Sequence, residues 1–147
     1  MKQRTLQQLI EQARRVRDDA AVRMAGADRQ AQQAQQTLDV LCSYLNQHLT
    51  PASGDAPHTD SPRLQVRERF TQRLNVAIDE QTRQRDSLHE VTEQRRSELI
   101  ERQKRLLAFE TLHARRESAR LGREQRRDQK RTDEMAAQAL QRKQRGS

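Results

Sequence analysis

From Leu6 to Leu45 the apolar residues of this chain recur at intervals of three and four. They read Leu6, Leu9, Ala13, Val16, Ala20, Met24, Ala27, Ala31, Ala34, Leu38, Leu41 and Leu45. A stripe with that spacing stays on one side of an α-helix and is buried only against another helix with a matching repeat. The one irregularity is an extra four-residue step from Ala20 to Met24. It implies a local eleven-residue segment in which supercoiling relaxes.

A second seam follows further along: Phe70, Leu74, Ala77, Gln81, Gln84, Leu88, Val91, Arg95, Glu98, Arg102, Leu106 and Phe109. The stretch between them, Thr50–Pro62, holds all three prolines. Ser61 and Pro62 read as an N-cap and a first helical residue. Thr5 and Gln8 read as a capping box. The pattern predicts helices over about 2–49 and about 62–142, joined by a loop at 50–61. Gly26 and Gly122 interrupt them at a cost of roughly 1 kcal/mol each relative to Ala.

Long helices with a short connection become antiparallel neighbours. The predicted fold is therefore all-α: one long antiparallel two-helix coiled-coil hairpin spanning 1–147. With Leu49 beside Leu64, facing residue numbers sum to roughly 113. That register sets Asp18 beside Arg95, Arg15 beside Glu98 and Glu11 beside Arg102. It also leaves the second helix without a partner after about residue 112.

Composition agrees with helices that share a narrow seam. Hydrophobic residues make up 32% of the 147 and aromatics only 2%, too few for a globular core. One cysteine, Cys42, excludes an internal disulfide. The histidines lack metal-ligand spacing, and neither a phosphate-binding loop nor a nucleophile motif is present. No enzymatic activity, cofactor or metal is expected. No apolar run is long enough to span a bilayer, so neither membrane insertion nor a signal segment is expected.

Two features exceed what a hairpin needs. The net charge is +8, and residues 113–147 carry eleven basic against five acidic residues. Continuing the heptad there gives a cationic face of Arg116, Arg120, Arg123, Arg127 and Lys130, a basic C-terminal overhang. As a helix, residues 113–142 would extend roughly 45 Å. The second feature lies near the turn, where Leu41, Tyr44, Phe70, Leu74 and Ala77, with Thr37, His48, Ile78 and Gln81, make more apolar surface than one two-helix contact can bury. That surplus reads as a docking patch.

The chain resembles the flagellar type III export family FliJ, related to injectisome stalk proteins. The resemblance is sharpest at Arg105–Glu117 (RLLAFETLHARRE) and Arg126–Lys143 (RRDQKRTDEMAAQALQRK), and near the turn at Leu41–Asn46 and Arg69–Gln81. It implies a non-enzymatic stalk of the export apparatus, cytoplasmic and peripherally associated with the inner membrane. It further implies insertion of the terminal end into a hexameric export ATPase, contact of the turn end with the export-gate membrane protein FlhA, and binding of export chaperones. By the same resemblance the gate contact falls on Leu41, Tyr44, Phe70, Leu74 and Ala77, and the ATPase contact on the basic end. Flagellar and injectisome systems stay open at this point.

The alternative is a basic coiled coil that binds nucleic acid through the arginine face. Against it, Glu117, Glu124, Asp128, Asp133 and Glu134 interrupt that face, and there is almost no aromatic surface for bases to stack on. A homodimer of paired overhangs is the weakest reading, because arginine would face arginine.

Overall fold

A computed structural model describes residues 2–49 and 61–146. Two helices account for nearly all of them, α1 over Gln3–Leu49 and α2 over Ser61–Arg145. The first helical turn forms earlier than the capping-box reading places it. The Leu6 amide donates to the Lys2 carbonyl at 3.1 Å, so Thr5 lies inside the helix and cannot cap it. Ser61 opens α2 beside Pro62, whose fixed φ suits the first turn. The predicted loop residues 50–60 lie outside the described residues.

The helices pack against each other in two stretches. The first combines residues 1–15 with 103–147. Its core is Leu6, Ile10, Ala13 and Leu106, with Phe109 packed against them, and Leu6 is fully buried. Gln3 Nε2 donates to Glu117 Oε1 at 2.5 Å, and Arg14 pairs with Glu110 at 3.3 Å. Contact thus continues to Glu117, more than a turn past residue 112, and His113 and Arg116 are half-buried seam residues. From Arg123 to Gly146 every residue is exposed.

The second stretch is residues 16–102. Here α1 contributes mainly alanine to the contact, with Ala20, Ala27, Ala31, Ala34 and Leu38 buried. Small side chains let the helix backbones approach. Gln81 Nε2 accordingly reaches the Ala34 carbonyl at 3.3 Å, and Arg85 reaches Gln35 Oε1 at 3.3 Å. Thr92 is 3% exposed, and its hydroxyl donates to the Leu88 carbonyl at 2.8 Å. That bond satisfies the one polar group Thr92 buries.

Burial corrects the seam in one systematic way. On α1 the inward residues are 6, 10, 13, 17, 20, 24, 27, 31, 34, 38, 41 and 45, an unbroken alternation of four and three. Ile10 is buried where Leu9 is only half-buried, and Arg17 is half-buried alongside Val16, so a regular repeat runs through Ile10 and Arg17 without the eleven-residue irregularity. On α2 they are 67, 71, 74, 78, 81, 85, 88, 92, 95, 99, 102, 106, 109, 113 and 116. Positions 74, 81, 88, 95, 102, 106 and 109 are as expected. Phe70, Gln84 and Val91 are exposed and give way to Thr71, Arg85 and Thr92, whereas Ala77 and Glu98 are half-buried alongside Ile78 and Leu99.

The expected ion pairs also give way. Glu98 accepts from Arg23 at 3.4 Å and from Arg95 at 3.2 Å, and Asp18 takes its neighbour Arg17 at 2.9 Å. Helical side chains lean toward their own N-terminus. In an antiparallel pair the charged ends that meet therefore come from residues numbered higher, on both helices, than those whose Cα atoms face. Long Arg and Glu side chains enlarge the offset, which is why Glu98 finds Arg23 and not Arg15.

Candidate functional site

The five residues of the expected docking patch occupy two kinds of position. Leu41 and Leu74 belong to the seam, half-buried and 8% exposed respectively. Ala77 is a half-buried flanking residue. Tyr44 and Phe70, at 52% and 43% exposed, stand outside the seam. The one-residue shift along α2 is what puts Phe70 there. Thr71 takes the inward position, with its hydroxyl held by the Arg67 carbonyl at 2.9 Å. Phe70 instead meets His48 of α1, the ring centroids 4.5 Å apart and the planes tilted by 55°. This contact holds the Phe70 ring and leaves one side of it open to solvent.

Tyr44 and Phe70 are thus the exposed members, while Leu41 and Ala77 are half-buried and Leu74 is buried. Both aromatics are exposed, and around Ala34 and Gln81 lies a polar groove that the sequence did not reveal. That groove is lined by Gln30, Gln33, Thr37 and Gln84. Its signal was the spacing of seven from Thr37 to Tyr44 and from Phe70 through Ala77 to Gln84.

The cationic face continues the seam of α2 beyond the packed stretch, at alternating steps of four and three. Its members are not equivalent. Arg116 is half-buried at its base. Arg120 is held within the helix by Glu117 at 3.1 Å and by Glu124 at 2.7 Å. The hydrogen bond and the charge of Glu117, then the charge of Glu124, push its already high pKa upward. Arg123, Arg127 and Lys130 are exposed. Exposed apolar residues stand among these cations, namely Leu121, Met135 and Leu140.

The exposed segment keeps its helix without a packing partner for local reasons. It is rich in Arg, Gln, Glu, Lys and Ala, all good helix formers. Its last turn carries Arg142, Lys143 and Arg145, which suit the negative end of the helix dipole. The Gly146 amide closes the end on the Arg142 carbonyl at 3.1 Å. Among the described residues no helix is long and apolar enough to cross a membrane.

Comparison with known proteins decides between the readings. Residues 1–145 match the family described as Flagellar FliJ protein. The chain belongs to the FliJ family. It is 30% identical over 139 residues to the flagellar FliJ protein of Salmonella typhi, an alignment covering 94% of this chain and 95% of that one. It is 32% identical over 127 residues to the flagellar FliJ protein of Escherichia coli K12, covering 86% of each. FliJ membership makes this chain a component of flagellar protein export and removes the injectisome alternative. Both the hairpin and the basic end fall within the matched region.

Proposed function

We propose that this chain is a non-enzymatic coupling stalk whose basic end enters the hexameric export ATPase and stimulates it by stabilising the assembled ring. The turn end, through Tyr44 and Phe70, docks on the export-gate protein FlhA, and export chaperones are further partners. The observation that carries the reading is the exposed helix from Arg123 onward, which keeps the seam's spacing but replaces apolar residues with Arg123, Arg127 and Lys130. A helical face of this kind repels itself when alone. It is stabilised when acidic side chains surround it, as the inner surface of a ring could provide. A partner that binds only the assembled ring stabilises that state by mass action. The exposed Leu121, Met135 and Leu140 favour a protein partner over nucleic acid, because phosphates offer nothing apolar to cover them.

The test is ATPase stimulation. Truncation after Gly122 should leave the packed helices intact, since the Gln3–Glu117 contact is retained, and should abolish stimulation. Replacing Arg123, Arg127 and Lys130 together by Glu should do the same. Stimulation by the unaltered chain should weaken as salt rises, because the contacts are between exposed charges. Full stimulation by the triple variant would overturn the reading. So would tighter binding to nucleic acid than to the ATPase at physiological salt.

A further inference from the structure

Glu117 is half-buried where the contact between the helices ends, and it bonds in both directions. Its Oε1 accepts from Gln3 Nε2 of α1 at 2.5 Å. Its Oε2 accepts from Arg120 twice, from Nε at 3.2 Å and from Nη2 at 3.1 Å. The remaining arm of Arg120, Nη1, donates to Glu124 Oε1 at 2.7 Å. All three nitrogens of this guanidinium are thus directed at carboxylates of its own helix. A single surface ion pair is worth little, because two long side chains must be held still for one contact. Here α1 fixes one carboxylate from its far side and the guanidinium is gripped at both ends, which makes a network rather than a chance pair.

Arg123, the next cation of the face, has no such arrangement. Three and four residues away on either side stand Ala119, Arg120, Arg126 and Arg127, with no carboxylate among them. Arg123 is exposed, as Arg127 and Lys130 are. Two cations of equal charge, three residues apart, therefore differ in what they offer a partner. An approaching anion must displace two carboxylates to reach Arg120, and those carboxylates also repel it. At Arg123 it displaces only water.

The consequence differs between kinds of partner. A polyanion such as nucleic acid draws its non-specific affinity from the number of cations set on phosphates, so each cation withheld lowers binding by a fixed factor. A protein partner also covers apolar surface, which the exposed Leu121, Met135 and Leu140 offer, so a smaller part of its affinity depends on any one cation. We infer that Glu117 and Glu124 are specificity-determining residues of the basic end. By holding Arg120 they start the binding face at Arg123, and they weaken polyanions more than an acidic protein. The selectivity rests on the reading of this end as a contact with the export ATPase, whereas the masking of Arg120 does not.

The test is the salt dependence of binding to a short duplex DNA, measured on the full chain. Three proteins are compared: the unaltered chain, Glu117→Gln with Glu124→Gln, and that double variant with Arg120→Gln added. Glutamine removes the charge and keeps the helix. Each phosphate neutralised adds about 0.9 to the slope of log affinity against log salt. The double variant should steepen the slope by about that amount and bind about tenfold tighter at about 0.1 M salt. Adding Arg120→Gln should return the slope to that of the unaltered chain, because the gain belongs to that guanidinium. A double variant with the unaltered slope would overturn the masking. So would a triple variant that keeps the steeper slope, since net charge alone would then account for the gain. Affinity of the double variant for the export ATPase should rise less than its affinity for DNA, and an equal or larger rise would overturn the selectivity. If the unaltered chain does not bind the ATPase, the functional reading falls and the selectivity with it, while the DNA slopes still decide the masking.

Discussion

Leu74 and Phe70 stand one helical turn apart and should respond to truncation in opposite ways. Leu74 is 8% exposed and lies in the seam, whereas Phe70 is 43% exposed and contacts His48. Burying a leucine is worth about 2 kcal/mol, and the vacancy left by truncation adds to the loss. A two-helix seam is one layer deep, so water can reach the gap and neighbouring side chains can close it. Leu74→Ala should therefore cost about 2–3 kcal/mol, near the lower end for buried leucines. Phe70 is the larger side chain but hides only part of its ring. Phe70→Ala should cost about 1 kcal/mol, most of it from that partial burial and the ring contact. The assay is urea denaturation of the full chain followed by circular dichroism, with gate binding measured in parallel. Leu74→Ala should lower the midpoint clearly yet keep gate binding while folded. Phe70→Ala should move the midpoint no more than half as far and lose gate binding. A Phe70→Ala loss of about 3–5 kcal/mol, the range for core aromatics, would refute the reasoning. It would place the ring in the seam and remove the patch.

Both mid-helix glycines should be replaceable with gain. A Cβ at Gly26 or Gly122 would meet nothing within 4 Å, so Gly26→Ala and Gly122→Ala should each stabilise their helix by about 0.5–1 kcal/mol, read as higher thermal midpoints or helicity. The Arg23–Glu98 pair is partly exposed, so it should contribute less than about 1 kcal/mol. Glu98→Arg should lower the melting temperature and the double variant with Arg23→Glu should recover part of it, whereas Arg15→Glu should give no such rescue.

Strict repetition proved more informative than the apolarity of single residues. Counting back from Leu106 in sevens gives Leu99, Thr92, Arg85, Ile78 and Thr71, the inward line that the structure shows. Preferring Phe70 and Val91 for their hydrophobicity required two successive steps of four near Arg102, a break in the repeat that the helix does not make. On α1 the same preference for Leu9 and Val16 produced an irregularity that Ile10 and Arg17 remove. A polar residue is cheap in such a seam when it is bonded locally, as Thr92 is, or when its long stem lies along the contact and its charge reaches the edge, as with Arg85. The helix boundaries were legible because the prolines and polar residues are confined to one stretch.

The candidate surfaces were legible only in outline, because sequence gives the position of a residue on a helix but not the direction of its side chain. The cationic face followed from spacing alone. That Arg120 is held by Glu117 and Glu124 while Arg123 is exposed depends on which carboxylates lie within a turn and how they lean. The charge pairs across the helices failed for the same reason, since they were drawn between Cα positions rather than between side-chain ends. For Tyr44 and Phe70 the property that matters is exposure, and both are exposed. A one-residue shift of the repeat moves an aromatic from the seam to its flank, so the irregularity that misled the seam reading was itself a mark of Phe70 facing outward.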